Sequence, residues 1–488
     1  MGERHRHRQD HHLVPPGNVH QLAEGVTVQT TRRRTGTVAA LVITTCLAAT
    51  ACSSSGSGSA ADSGDGTVTI TVGQKPTPDQ AAALKTWTDR VAEFEKANPN
   101  IKIEGSEYGY DVQTFQADLA AGTLPTVVAI PYTDVQGLIE RKQLADITDV
   151  VKASPIGSKI NPEVLKTVQD SSGKVFGLPV QAYTMSLNYN RALFKQAGLD
   201  PDKPPATWAE VRTDAKAIAD KTGKAGYSMM TTGNTGGWVL TAMTYTYGGT
   251  IEKVDGGKAS AAFNDAPMKN ALTALQEMRW TDNSMGSNFL FNQKQLLQEF
   301  AGGKVGMYIG APGDYRDEVT TMGGKGEDIG VAPLPLDSPD GGTLTGGAVQ
   351  MFNPKASKAQ VEAAVKWAEF FWLEKFTDQD HAVTDAKTAN ADKVYSVGLP
   401  MLWLFDDASQ QQYNSWIKPY VNTVQANFTP YTSKAASLKL MIEPPVAGQK
   451  VYASLDSVVQ TVLTKKDTDI GKLLGDSSKT VDGLLTNP

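Results

Sequence analysis

The alternation of strand-like and helix-like runs over residues 67–130 constrains this chain more than any other feature. Thr67 to Val72 alternates threonine with aliphatic residues, the period-two pattern of a strand. From Asp79, apolar residues recur at Ala83, Leu84, Trp87, Val91 and Phe94, a helical spacing that Asn98 and Pro99 end. Ile101 to Ile103 gives a second strand and Phe115 to Ala121 a second helix. Gly122 to Pro125 then turns into a third strand, Thr126 to Ile130. The order β-α-β-α-β implies a parallel sheet of α/β type. Such sheets hold ligands beyond the carboxyl ends of their strands. The loops to watch are therefore Gln74–Lys75, Tyr108–Asp111 and Pro131–Asp134.

The middle of the chain continues in this style. Val175 to Val180 holds Gly177 and Pro179 and suits an extended segment, and Thr184 to Asn190 reads as a strand. A short helix from Arg191 ends at Gly198, a residue suited to the left-handed cap. Thr207 followed by Glu210 is a capping box ahead of a helix, Trp208 to Lys221. Thr231 to Gly237 is a Gly/Thr/Asn loop running into Trp238, with a helix from Val239 to Tyr247. Helical stripes recur at 267–278 and 293–300, a strand at 303–309, and an extended segment at 329–335. A further helix is expected at 359–373, and the C-terminal part is helical where its periodicity is legible.

The amino end has the order of a secretory signal. Arg32 to Arg34 form a basic cluster, followed by an apolar run from Val38 to Ala51 and then Cys52. That run is too short for a membrane span, which needs roughly 20 residues. Five of the six His lie within residues 1–27, unlike an ordinary signal, and initiation near Val26 or Val28 is expected. Ser53 to Gly66 is rich in Ser, Gly and Ala and reads as a tether.

Composition excludes several functions. The chain has 46 basic and 52 acidic residues; residues 1–51 hold six Arg and three acids, which leaves 40 and 49, a net −9. That balance argues against a nucleic-acid partner, which needs clustered Lys and Arg. The two Cys, Cys46 and Cys52, both precede the folded part. His381 is the only His beyond the leader, so zinc hydrolysis and Ser-His-Asp chemistry lose their usual residues. No catalytic residue, cofactor or metal is expected. Two lobes of ordinary size fit the ~420 residues that remain.

Four segments in the same order resemble bacterial extracellular solute-binding proteins of family 1, the maltose-binding-like sugar-binding lipoproteins of ABC importers. They are Gly122 to Val128 (with Thr126 where Asp is usual), Gly177 to Glu210, Phe300 to Met307, and Val331 to Pro335 followed by Gly346 and Gly347. Ala49 to Cys52 resembles a lipobox, with Ala49 where Leu is usual. The resemblance implies a two-lobed periplasmic-binding-protein-like fold of type II that closes on its ligand. Residues 1–51 would be the signal and 52–66 a lipidated Cys52 with its tether. The first lobe would comprise 67–180 with 336–372, and the second 181–335 with 373–488. Crossings are expected at Val180–Tyr183, near Leu334 and near Phe371.

A sugar presents apolar ring faces and polar rims, so its site needs flat aromatic rings and fixed hydrogen-bonding groups. Tyr108, Tyr110, Tyr132 and Trp238 would supply rings, and Gln74 and Asp134 the rim. Tyr183 lies on the expected crossing, and Gly347 in the segment returning to the first lobe. Tyr315 stands two residues after Gly313, where many relatives carry Trp. The function implied is capture of a sugar or oligosaccharide by a monomer, lipid-anchored on the outer face of the cell membrane, and delivery to permease subunits. A polyamine, peptide or metal chelate is the alternative ligand. An enzyme cleaving glycans would need paired acids such as Asp111 and Asp134.

Overall fold

A computed structural model describes residues 66–486, apart from 112–113, 256–257 and 393–395. The expected signal, the lipidation of Cys52 and nearly all of the tether lie outside the described residues. Strands β1 (Val68–Val72), β2 (Ile101–Gly105) and β3 (Val127–Pro131) form the expected parallel set in the order β3-β1-β2. β4 (Gly177–Thr184) and the long β11 (Thr343–Phe352) extend this sheet antiparallel, and the two-residue β12 (Leu440–Met441) adds to β11. A second sheet runs β10 (Ile329–Pro333), β5 (Ser186–Asn190), β9 (Val305–Gly310), β6 (Ala225–Tyr227). A hairpin, β7 (Glu252–Asp255) with β8 (Lys258–Ala261), lies apart from both.

Local chemistry sets many of the helix ends. The Asn190 side chain accepts from the Leu193 N–H, and Gly198 ends that helix with φ +80°. Thr207 and Glu210 make the expected capping box, and Gly223 closes the Trp208–Thr222 helix with φ +69°.

Each sheet has its own hydrophobic core. Phe94, Val128, Leu178, Met351 and Trp367 are fully buried around the first, and Trp208, Met243, Phe300, Val331 and Leu455 around the second. The partition of the later chain differs from the expected one. Phe371 stacks on Trp367 at 5.0 Å, and Phe376, Trp403 and Phe405 are buried in the first core, beyond the division expected at residue 373. The chain enters the second core at Phe428 and Tyr431, touches the first sheet again at β12, and returns to the second core from Val451.

Two strand crossings join the lobes side by side. β4 passes into β5 through Met185, and the chain returns from β10 to β11 through residues 334–342. Met185 N–H donates to the Leu344 carbonyl at 2.9 Å, and the Thr345 hydroxyl donates to the Tyr183 carbonyl at 2.7 Å. The Thr343 hydroxyl reaches the Met185 carbonyl at 3.1 Å, and Thr184 bonds the Tyr431 hydroxyl. Buried carbonyls at a hinge need such partners, and the threonines of β11 provide them.

Candidate ligand-binding site

Four of the nine predicted site residues meet between the lobes. The first lobe contributes Tyr110 and Asp134. Pro131 to Asp134 is not the loop that was expected: Tyr132–Glu140 is a helix, which places Asp134 in its first turn, where a negative charge suits the helix dipole. The Tyr110 hydroxyl donates to the Asp134 carboxylate, and the Tyr110 ring packs on Phe115 at 5.4 Å. Arg141 lies close enough to act electrostatically on both.

The second lobe contributes Trp238, and the β4 crossing Tyr183. Trp238 lies in the first turn of the Thr235–Thr246 helix, not in a loop before it. Gly236 and Gly237 let that helix close on the Gly448–Thr464 helix: a Cβ at Gly237 would collide with the Tyr452 backbone. Asp456 of the second helix accepts the N–H groups of Asn234 and Gly237, both at 2.8 Å, and so fixes the first turn. Trp238 is half-buried, its ring edge-on to Tyr183 at 6.4 Å. Tyr183 in turn lies over Gly346, where any side chain would collide with its ring.

The residue that joins these groups was missed. Glu443, 8% exposed, accepts from the Trp238 indole N–H and, at 3.4 Å, from the Tyr452 hydroxyl. It belongs to a strap that leaves β12 and is tied to the second lobe at both ends. The Tyr245 hydroxyl donates to the Ile442 carbonyl at 3.0 Å, and the Val446 N–H donates to Glu252 at 2.8 Å. Pro444 and Pro445 stiffen the span between. Burial, with the Asp134 charge nearby, pushes the Glu443 carboxyl up to about 8. Burial likewise raises Asp134, opposed by its bonds from Tyr110 and Thr133 and by Arg141. Tyr183 is held well above its usual range, first by burial and then by Glu443 and Asp314.

The lobes touch over this site. A Cβ on Gly448 of the second lobe would lie 3.7 Å from Thr133 of the first, and one on Gly137 would lie 3.0 Å from the Pro445 carbonyl.

The other five predicted residues make contacts within their own lobes or at the sheet. The Gln74 side chain accepts from the Ala129 N–H at 3.3 Å, and its backbone is left-handed with φ +59°. Tyr108 donates to Asp118 at 3.2 Å, turning its hydroxyl to the Phe115–Ala121 helix; burial first, then Asp118, pushes it up to about 12. Tyr132 is 4% exposed within the first core. Tyr315 opens the Asp314–Thr320 helix and packs edge-on against Phe428 at 5.2 Å in the second core. Gly347 has φ +149° and pairs with Ala182, so closely that a Cβ would meet the Gln181 carbonyl. Asp111, proposed as an acid partner for Asp134, is exposed ahead of the Phe115–Ala121 helix; the acid acting on Glu443 is Asp134.

The family model for bacterial extracellular solute-binding proteins matches residues 77–374, more than half of the chain. The chain belongs to that family. Among curated relatives, the sn-glycerol-3-phosphate-binding periplasmic protein UgpB of Escherichia coli (strain K12) is 24% identical over 292 residues, 57% of this chain. The match spans 65% of that relative's length. Among solved structures, the cyclic alpha-maltosyl-1,6-maltose binding protein from Arthrobacter globiformis superposes with TM-score 0.64 at 22% identity, covering 87% of this chain and 100% of that one. The sugar-binding protein MalE from Xanthomonas citri gives 0.64 at 18%, covering 86% and 98%. UgpB from Mycobacterium tuberculosis in complex with glycerophosphocholine gives 0.58 at 17%, covering 87% and 99%. At these identities the likeness shows the fold, and that fold is the two-lobed one read from the sequence. The family model includes the Tyr108–Asp111 and Pro131–Asp134 segments and the β4–β5 crossing; Gln74, Glu443 and Tyr452 lie outside the matched residues.

Proposed function

We propose that this chain is the substrate-binding subunit of an ABC importer, capturing a sugar or short oligosaccharide between its lobes and delivering it to membrane permease subunits. The observation that carries the reading is the Tyr183–Trp238 ring pair set beside the Asp134 and Glu443 carboxylates, with groups drawn from both lobes and from the crossing. Rings offer a surface to the C–H faces of a pyranose, and carboxylates accept from its hydroxyls. The two strand crossings supply a hinge about which the lobes would open and close. The site binds and performs no chemistry. Cys52 carries the lipid that keeps the monomer at the outer face of the cell membrane, as the leader-like run before it suggests.

Calorimetry against a panel of mono- and oligosaccharides, with the ligand recovered intact afterwards, tests the binding. Heat of binding without turnover is expected; hydrolysed ligand would sink the reading. Release of the protein into the medium by Cys52→Ala, with loss of palmitate labelling, tests the anchor.

A further inference from the structure

We propose that Gly137 is a closure residue: the strap of the second lobe seats on its bare Cα, so the closed form depends on the missing side chain. The inference rests on the hinge closure of the proposed function, not on the identity of the ligand.

The helix itself gives no reason for a glycine there. Gly137 is buried in the interior of the Tyr132–Glu140 helix, in backbone that every L residue adopts. A glycine inside a helix costs stability relative to alanine, because it loses more chain freedom on folding. What the position demands is close approach. A Cβ there would lie 3.0 Å from the Pro445 carbonyl oxygen and 3.2 Å from Nη1 of Arg141. Arg141 is exposed, and its long side chain can move aside. The carbonyl is held.

The peptide group that carries this oxygen faces both lobes. Its C=O, from Pro445, lies over the first-lobe helix, and its N–H, from Val446, donates to Glu252 of the second lobe at 2.8 Å. The group is planar, so shifting the oxygen turns the N–H away from Glu252. On one side Pro444 and Pro445 restrict the backbone, and the Tyr245 hydroxyl holds the Ile442 carbonyl at 3.0 Å. On the other, Ala447 is left-handed with φ +53°, a conformation that costs an alanine and persists where its surroundings impose it. Just beyond, a Cβ on Gly448 would lie 4.0 Å from the Thr133 Cβ. Thr133 and Gly137 stand four residues apart on one face of their helix, so the second lobe meets the first at two successive turns. A strap held stiffly by one lobe, with its carbonyl in a notch of the other, sets how far the lobes can close.

The test needs no ligand. Both cysteines of the sequence precede the folded part, so in the mature chain carrying Cys52→Ser the pair Thr133→Cys with Gly448→Cys adds the only thiols. Their Cβ separation of 4.0 Å falls within the ~3.5–4.5 Å that a disulfide spans, so oxidation traps the closed form at a rate that follows its population. Gly137→Ala is expected to slow this cross-linking at least about fivefold, the lower end of what overpacking a close contact costs, and Gly137→Leu by more. The melting temperature of the reduced Gly137→Ala chain should be unchanged or higher, since alanine favours the helix. Glu252→Ala frees the Val446 N–H and lets the peptide plane turn, so in that background Gly137→Ala should slow cross-linking less than about twofold. Equal rates with and without Gly137→Ala overturn the inference, as does a slowing that Glu252→Ala leaves unchanged. A slowing that comes with a lower melting temperature also overturns it, making Gly137 a packing position, and so does failure of the pair to cross-link with Gly137 in place. None of these results touches the sugar reading, and failure of every sugar to bind in calorimetry would overturn that reading while leaving the strap contact standing.

Discussion

Two pairs of buried acids, Asp134 with Glu443 and Asp314 with Glu318, sit in different company, and the contrast separates framework from site. Asp314 accepts the Ala311 N–H at 3.0 Å on its own helix cap. The Tyr308 hydroxyl lies 2.6 Å from Glu318 and 3.3 Å from Asp314, and accepts from Asn188 at 2.8 Å. All of these groups belong to the second lobe. Burial pushes Asp314 up to about 7 and holds Glu318 well above its usual range. Asp134 and Glu443, by contrast, come from a helix of one lobe and a strap tied to the other, and accept from the Tyr110 hydroxyl and the Trp238 indole N–H respectively. An acid pair served by its own lobe is structure; a pair assembled across a hinge, with ring faces beside it, is where a ligand would go.

The largest expected effect breaks the structural pair. Tyr308→Phe removes the hydroxyl that Asn188, Asp314 and Glu318 share, leaving buried polar groups without their partner. A stability loss of about 3 kcal/mol by denaturant titration is expected, with ligand affinity unchanged. A matching loss of affinity would mean that the Asp314 pair belongs to the site.

Gly347→Ala tests a predicted site residue that the structure assigns to the sheet. The left-handed backbone and the Gln181 carbonyl both resist a Cβ, so a loss of about 2 kcal/mol is expected, again without a change in affinity in the folded protein. A selective affinity loss at unchanged stability would return Gly347 to the site.

The pH dependence of stability distinguishes the pairs by a different route. The Glu443 carboxyl is raised from 4.5 to about 8, so the folded chain holds a proton that the unfolded chain releases. Its contribution is full below pH 4.5 and is lost as pH rises through 8. Tyr452, Trp238 and Asp134 face it, and none carries a positive charge. Glu443→Gln should therefore gain stability over wild type between pH 5 and pH 9. About 2 kcal/mol is expected, less than half the full shift, since an opening cleft rehydrates the group. A pH-independent difference would place Glu443 in water.

Much of this architecture was legible because it is local. The β-α-β-α-β order, the Asn190 and Thr207 caps and the left-handed Gly198 and Gly223 are set by residues within a few positions of one another. The site was half legible. Tyr110 and Asp134 follow strands whose carboxyl ends are predictable, but the first turn of the Tyr132–Glu140 helix was taken for loop because Pro131 gives no side-chain cap signal. Glu443 was illegible for a clear reason: β12 has two residues, too few for any periodicity, and the Pro444–Pro445 strap takes its position from Tyr245 and Glu252, nearly two hundred residues earlier. Tyr452 hid among the apolar residues of its own helix, where Val451, Leu455 and Val459 carry the same stripe into the core.

Trp238 gives the smallest predicted effect and the sharpest one, because it stands on both sides of the comparison. It packs against the second core as a structural residue would, yet its indole N–H serves Glu443 and its ring meets Tyr183 from the crossing. Trp238→Ala should weaken ligand binding by at least about tenfold, or 1.4 kcal/mol. Trp238→Phe keeps a ring and loses the N–H, so it should restore much of the packing while leaving Glu443 short of a donor. If affinity is untouched by either change while the melting temperature falls, Trp238 is core alone, and the ligand reaches the acids without it. If Phe restores stability but not affinity, the indole N–H positions Glu443 for the ligand, and the acid pair across the hinge is what the ring was there to serve.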